Sequence, residues 1–277
     1  MEDVAILYIC TGNYPKLFPQ FYESARENLL PSLTKHYYVW TDCDLHDYYD
    51  YDESEVSVLP TPYEAWPAAT LFRYRNFLRI RDILLEHKYV YFCNADLNFY
   101  REVGEEILPD EAHPLVGVQH IQFDKPQLKM REMLDNTEKN VFSHAFINPD
   151  DMPYTYIFGC FYGGFSKEFV EMSETLSRWT DEDYANNIIP VWHDESFLNA
   201  YRLDNPELFK ILPVQYAYPD LCYIDGYDDI KVFKLNKNAF FNCSDYREYT
   251  KNLENQFNKR LNRFLGIDVP EDFSDFS

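Results

Sequence analysis

The sequence predicts an α/β protein built on a parallel, doubly wound sheet. Short β-branched and aromatic runs alternate with stretches of helical spacing through the first half of the chain. Two of those runs end in polar clusters, CTGNY at 10–14 and CNAD at 93–96, and ligands of open parallel sheets gather at the strands' carboxyl ends. Neither GxGxxG nor GxxxxGK[ST] occurs, so a dinucleotide-dehydrogenase site and a P-loop are unsupported.

The elements follow in order. Val4–Cys10 is β-branched and closes on TGNYP, a strand and a turn. Leu17–Leu30 carries Phe18, Phe21, Ala25 and Leu29 at helical spacing. HYYVWTD (36–42) is a second strand. Ala68–Glu86 reads as one long helix, with Leu71, Phe72, Phe77, Leu78, Ile80, Ile83 and Leu84 on an apolar face and Arg73, Arg75, Arg79 and Arg81 on the other. YVYFCNAD (89–96) and PLVGVQH (114–120) are the next strands. Residues 121–153 are polar and weakly periodic, a lid-like excursion of the kind that often carries function. YIFGCFYGGFS (156–166) reads as strand and turn feeding a helix at 167–179, and VWHDESFLNAYRL (191–203) opens another helix. ILPVQYAY and IKVFKL are short strands. The sequence divides into residues 1–245 as one domain and 246–277 as a C-terminal helix and acidic tail.

At 277 residues the chain can bury a sizeable core. Its 24 Tyr and 22 Phe are mostly core, though such rings also suit stacking on sugars and nucleotides. A formal charge of −22 argues against nucleic acid and anionic membranes as partners. The 6 cysteines show no metal-ligand spacing and read as reduced, which fits the cytoplasm. The apolar start is short for a signal peptide, and no run approaches the ~20 apolar residues that span a bilayer.

Four constellations carry chemistry. Asn94 and Asp96 flank Ala95, and residues at i and i+2 on a strand share a face. Two acids so placed could hold Mg²⁺ or Mn²⁺. Here one is an amide, which brings no charge, and strand-end turn chemistry is the bland alternative. WHDES packs Trp192, His193, Asp194, Glu195 and Ser196 together. Either acid could stabilise positive charge at a sugar carbon, and Trp192 could stack on a sugar face. The bland alternative is a helix with acids in its first turn. IFGCFYGG offers close backbone approach or simple packing. Finally Arg73, Arg75, Lys231, Lys234 and Lys237 are cations in an acidic chain, able to neutralise a departing diphosphate.

Together and in order, ILYICTGNY (6–14), YYVWTD (37–42), WPAATLFRYRNF (66–77), YFCNADLNF (91–99), FGCFYGG (158–164) and WHDESFLNAYRL (192–203) resemble glycosyltransferase family 6, over roughly residues 1–235. This is the family of the histo-blood-group A and B transferases and α-1,3-galactosyltransferase, and the short bacterial members are nearest in character. The resemblance implies a GT-A fold, with a Rossmann-like nucleotide-binding sheet and an acceptor-binding subregion. It implies transfer of galactose or N-acetylgalactosamine from a UDP-sugar to the 3-OH of a β-galactoside acceptor, with 2-linked fucose in blood-group-type members, and with retained α configuration.

By the same resemblance, the donor-site positions are Thr11, Tyr14 (on uracil), Arg73, Asn94, Ala95 and Asp96 (the family's DXD). They continue with Phe158, Gly159 and Cys160 (tuning donor sugar), His193, Asp194, and the basic Lys231, Lys234 and Lys237 near the diphosphate. His120 and Trp192 fall on acceptor-contacting positions, and Glu195 falls on the proposed nucleophile, which also faces the acceptor. NAD lies between the DXD of Mn²⁺-dependent members and the NXN of members that resemble metal-independent enzymes. The expectation is no cofactor, with Mn²⁺ at Asp96 as the alternative. Cys160 replaces a Gly or Ala, which favours galactose. The family's HPGFY reads HIQFD here (His120–Asp124), a departure in the acceptor loop. The rival readings are a Mn²⁺-dependent member and an inactive sugar-binding relative.

Overall fold

A computed structural model describes residues 3–121, 136–151, 154–220 and 229–242. Its strands in chain order are β1 (Asp3–Ile9), β2 (Thr34–Thr41), β3 (Val56–Pro60), β4 (Tyr89–Cys93), β5 (Leu97–Phe99), β6 (Leu115–Gln119), β7 (Ile157–Phe165), β8 (Phe209–Leu212), β9 (Tyr218–Pro219) and β10 (Val232–Lys234). The larger sheet has 7 strands in the order β3-β2-β1-β4-β7-β6-β8. β1 pairs in parallel with β2 and β4, β2 with β3, and β6 with β8. β1 and β4 are almost wholly buried, so both faces are covered and both strands read as continuous apolar runs. One core layer gathers Tyr8, Phe18, Phe21 and Tyr37. The layer on the opposite face gathers Trp40, Tyr74, Phe77, Phe92 and Phe169.

The α/β expectation holds, but the sheet is mixed. β7 runs antiparallel to both β4 and β6. It is also one unbroken strand of 9 residues, without the turn expected within it. Its glycines allow the close fit: a Cβ on Gly163 would collide with the Tyr91 ring and the Val90 carbonyl. Because β7 is reversed, its first residues lie beside the carboxyl end of β4.

The long helix expected over 68–86 is three short ones, Ala68–Leu71, Arg73–Leu78 and Arg81–Leu84. The breaks fall at Phe72 (φ −99°, ψ 16°) and Ile80 (φ −118°, ψ 26°), outside the helical region. Apolar spacing hides them, since each short helix still buries one side. The breaks redistribute the arginines. Arg73 is buried, whereas Arg75 pairs with Asp181 at 2.6 Å and Arg81 with Glu174 at 2.7 Å on the surface. Ile83, expected in the core, is exposed.

The helix after β7 spans Ser166–Ala185, longer than expected, and the next spans Asp194–Asp204. A smaller sheet has the order β5-β10-β9. β5 begins directly after Asn94-Ala95-Asp96, and its antiparallel register with β10 sets Lys234 opposite Leu97. The expected C-terminal helix at 246–265 and the acidic tail lie outside the described residues, as do residues 122–135 and 152–153 of the 121–153 excursion, Cys222 and Cys243. Cys10, Cys43, Cys93 and Cys160 are free thiols. Among the described residues no helix is long and apolar enough to cross a membrane.

Candidate active site

A cavity of about 460 Å³ opens where β1, β4 and the start of β7 converge. That size suits a small-molecule site. Thr11 and Tyr14 reach it from the end of β1, and Asn94 and Ala95 from the end of β4. Phe158, Gly159 and Cys160 reach it from β7 because that strand is reversed: the Asn94 N–H donates to the Cys160 carbonyl at 2.8 Å. Gly12, between β1 and Tyr14, adopts φ +65°, and a Cβ there would meet the Tyr63 ring at 2.8 Å. Only glycine lets Tyr63 lie over the loop.

Glu195 lies in the first turn of the Asp194–Asp204 helix and faces the cavity. Tyr156 Oη donates to its Oε1 at 2.8 Å and the Gly159 N–H to its Oε2 at 2.7 Å. A Cβ on Gly159 would sit 3.0 Å from Oε2, so a glycine here lets the carboxylate tuck against the strand. The carboxylate lies deep in the protein mass yet keeps some surface open to the cavity. Burial raises its pKa, while Gly159, Tyr156, Arg73 and Lys234 pull it back. The helix is fixed from behind by Asn199, wholly buried. Its Nδ2 donates to the Ile157 and Glu195 carbonyls, both at 2.9 Å, and its Oδ1 accepts from the Ile157 N–H at 2.8 Å.

Beneath this carboxylate is a buried ion pair. Arg73 Nε lies 3.1 Å from Asp194 Oδ2, short of hydrogen-bond alignment, while its Nη1 donates to the Gly159 carbonyl at 2.9 Å. Its guanidinium also lies 4.5 Å from the centre of the Phe92 ring. Burial pushes the Asp194 carboxyl up to about 7 against the pull of Arg73. Burial also opposes the charge on Arg73, but Asp194 and the nearby tyrosines outweigh it and raise its pKa; we read the pair as ionised. His193 precedes the helix at φ 51°, ψ −121°, a costly backbone for a residue with a side chain. Its ring is buried, 3.4 Å from Thr70 Oγ1 and edge-on to Trp66 at 4.7 Å. Such strain is found at sites where position matters more than stability.

Asn94 and Asp96 do not share the cavity. Asn94 lines it, whereas Asp96 is fully buried behind it. Asn94 Nδ2 donates to Asp96 Oδ1 at 2.7 Å. Asp96 Oδ2 faces Lys234 Nζ at 3.3 Å and Lys237 Nζ at 3.7 Å, close ion pairs without a well-aligned hydrogen bond. One oxygen takes an amide and the other serves two ammonium groups, so this motif does not fit a cation bridging a diphosphate. Lys234 and Lys237 line the cavity, with Lys237 Nζ 5.4 Å from the Tyr14 ring centre. Lys231 corrects the expected trio. It lies just before β10 and does not line the cavity, and its Nζ donates to the Glu102 carbonyl at 2.9 Å instead.

His120 and Trp192 also line the cavity. His120 lies 4.2 Å from the Phe158 ring, and burial lowers its pKa to about 4, with Lys234 adding to the effect. It is therefore neutral at physiological pH. Sequence reasoning missed Tyr156, Asn199, Asn136, Tyr63 and Trp66. Tyr63 and Trp66, 60% and 71% exposed, stand at the cavity mouth, where exposed aromatics suit ring-shaped ligands. Their signal was present in TPYEAWP, a turn-rich stretch with two aromatics and no apolar period.

This arrangement agrees with what the chain resembles. The family model described as glycosyltransferase family 6 matches residues 3–239. The chain is 30% identical over 217 residues to the O-antigen biosynthesis glycosyltransferase WbnI of Escherichia coli, covering 78% of this chain and 88% of that one. It is 26% identical over 231 residues to the histo-blood group ABO system transferase 2 of Rattus norvegicus. It is 22% identical over 227 residues to the globoside alpha-1,3-N-acetylgalactosaminyltransferase 1 of Gallus gallus. The chain spans 63% and 62% of the lengths of those two vertebrate proteins. With a match running through β1, the Asn94 turn, β7 and the Glu195 helix alike, the chain belongs to glycosyltransferase family 6.

Proposed function

We propose that this chain is a retaining glycosyltransferase. It moves galactose or N-acetylgalactosamine from a UDP-sugar to the 3-OH of a 2-fucosylated β-galactoside, forming an α-1,3 linkage, without a metal. One observation carries the reading: Glu195, held by Tyr156 and Gly159, faces the same cavity as the Lys234 and Lys237 ammonium groups. The donor's uracil lies by Tyr14 and its diphosphate by the two lysines. As UDP departs, the anomeric carbon gains positive charge and the Glu195 carboxylate stabilises it, or bonds to it, from the opposite face. The acceptor hydroxyl then attacks from the side that UDP left, giving its proton to the departing diphosphate and freeing the Glu195 carboxylate where it had bonded.

Charge is shared in a definite way. Arg73 is matched by Asp194 and is not free to hold phosphate. Lys234 and Lys237 share one carboxylate, Asp96, so among the described residues this trio leaves one net positive charge for the leaving group. Replacing Lys234 by Ala is expected to lower kcat by about 10²-fold, as for loss of one preorganised charge donor. Unchanged turnover, measured as UDP release, would remove Lys234 from this role. Cys160 on the cavity wall crowds a 2-acetamido group, which favours galactose as the donor sugar. The free thiols suit a cytoplasmic enzyme.

The test is a panel of UDP-galactose and UDP-N-acetylgalactosamine against 2′-fucosyllactose and lactose, each with and without EDTA. We expect transfer from UDP-galactose to 2′-fucosyllactose, unaltered by EDTA. Activity lost to EDTA and restored by Mn²⁺ would overturn the metal-free reading. Sugar binding without any UDP release would make the chain a carbohydrate-binding relative.

A further inference from the structure

Residues 136–147 form a segment whose seat lies away from the cavity and whose first residue lies on it. The seat is the end of the Ser166–Ala185 helix. Asp183, 1% exposed, accepts from Ser143 Oγ at 2.6 Å and from the His144 N–H at 3.1 Å, and its Oδ1 lies 2.7 Å from His144 Nδ1. His144 Nε2 lies 3.0 Å from Glu182, and the imidazole stacks on Trp179 at 5.9 Å. Arg178 approaches Glu182 from the preceding turn at 3.4 Å. A buried carboxylate with this many donors is a strong anchor.

From that anchor the segment runs back to the cavity. Glu138 accepts from the Asn140 N–H at 2.7 Å and, through its other oxygen, from the Val191 N–H at 2.9 Å. Asn136 Oδ1 accepts from the Trp192 indole N–H at 3.2 Å. Trp192 is 45% exposed, so packing fixes its ring only in part and this hydrogen bond helps set its plane. We propose that His144 is a positioning residue. By seating the 136–147 segment on Asp183 and Glu182, it sets the Trp192 indole for stacking on the acceptor sugar. The inference rests on the function proposed above and on Trp192 being at an acceptor-contacting position, as the family resemblance implies.

Steady-state kinetics with UDP-galactose and 2′-fucosyllactose test it, alongside donor-only hydrolysis of UDP-galactose and thermal unfolding. His144→Ala is expected to raise the acceptor KM about tenfold, the effect of losing one charge-assisted contact. Its kcat and donor hydrolysis should stay within about twofold, because the donor side is untouched. His144→Asn, whose amide can replace the Nδ1 contact to Asp183, should restore most of the affinity. Asn136→Ala should raise the acceptor KM as well, and the double variant should be no worse than the more impaired single one, since both act through Trp192. An unchanged acceptor KM in folded His144→Ala would overturn the proposal. So would a parallel fall in kcat and donor hydrolysis, or effects that multiply in the double variant. If the unsubstituted chain transfers nothing to 2′-fucosyllactose, the functional reading fails, and this inference with it.

Discussion

Replacing Glu195 by Gln is expected to lower kcat/KM by about 10³-fold or more, because the group proposed to answer the developing sugar cation loses its charge. The substitution nearly preserves shape. It does not preserve hydrogen bonding, since Tyr156 and the Gly159 N–H both donate and an amide offers only one acceptor oxygen. About 1–3 kcal/mol of stability is therefore also at risk, and an unfolding curve measured beside UDP release separates the two effects. Near-normal turnover in a folded Glu195→Gln variant would remove this residue from the chemistry. Burial raises the Glu195 pKa, so the active, charged form is lost at a higher pH than for an exposed glutamate. Activity should therefore fall on acidification above the usual glutamate range. The sign for stability is opposite: the folded state binds this proton more readily than the unfolded chain, so for this group acidification favours folding.

Arg73→Ala is expected to destabilise the fold by about 3–5 kcal/mol, the usual result of removing one partner from a buried ion pair. The Asp194 carboxylate would be left without its cation, and the Gly159 carbonyl would lose its donor. Asp194, already pushed up to about 7 by burial, would then take a proton more readily still. Because Arg73 also touches the strand residue that holds Glu195, activity should fall along with stability. Arg73→Lys should not restore either fully, since an ammonium cannot reproduce the planar fork that spans Asp194 and Gly159. Urea unfolding of both variants checks the order: unsubstituted chain, then Lys, then Ala. An Ala variant as stable as the parent would show that the pair is replaceable by solvent.

Much of this site is legible in the sequence because its parts are local. CTGNY, CNAD, FGC and WHDE each sit at the end or start of an element, and strand-end chemistry is a short-range signal. Registers and long-range pairing are not. Lys231 and Lys234 look equivalent until the chain folds, when Lys234 turns to Asp96 and Lys231 to the Glu102 carbonyl. The two carboxyl-like groups of Asn94 and Asp96 look convergent until the turn after β4 sends Asp96 inward to two lysines. The long arginine-bearing helix hides its breaks because Leu71, Tyr74, Phe77 and Leu84 bury themselves on either side of them. β3 went unnoticed because VSVLP is only 5 residues and partly exposed. Tyr156 and Asn199 act through partners on other elements, which no local pattern announces.

The reversal of β7 has a practical outcome for anyone altering sugar choice. Phe158, Gly159 and Cys160 hang from the same rung as the turn after β4, through the Asn94 N–H and the Cys160 carbonyl. One position away, the Gly159 backbone grips both Glu195 and Arg73. The cavity wall at Cys160 and the seat of Glu195 are thus set by one short piece of main chain. On the function proposed above, swaps that reshape only the Cys160 side chain are expected to retune donor preference, whereas any that shift its backbone also displace Glu195.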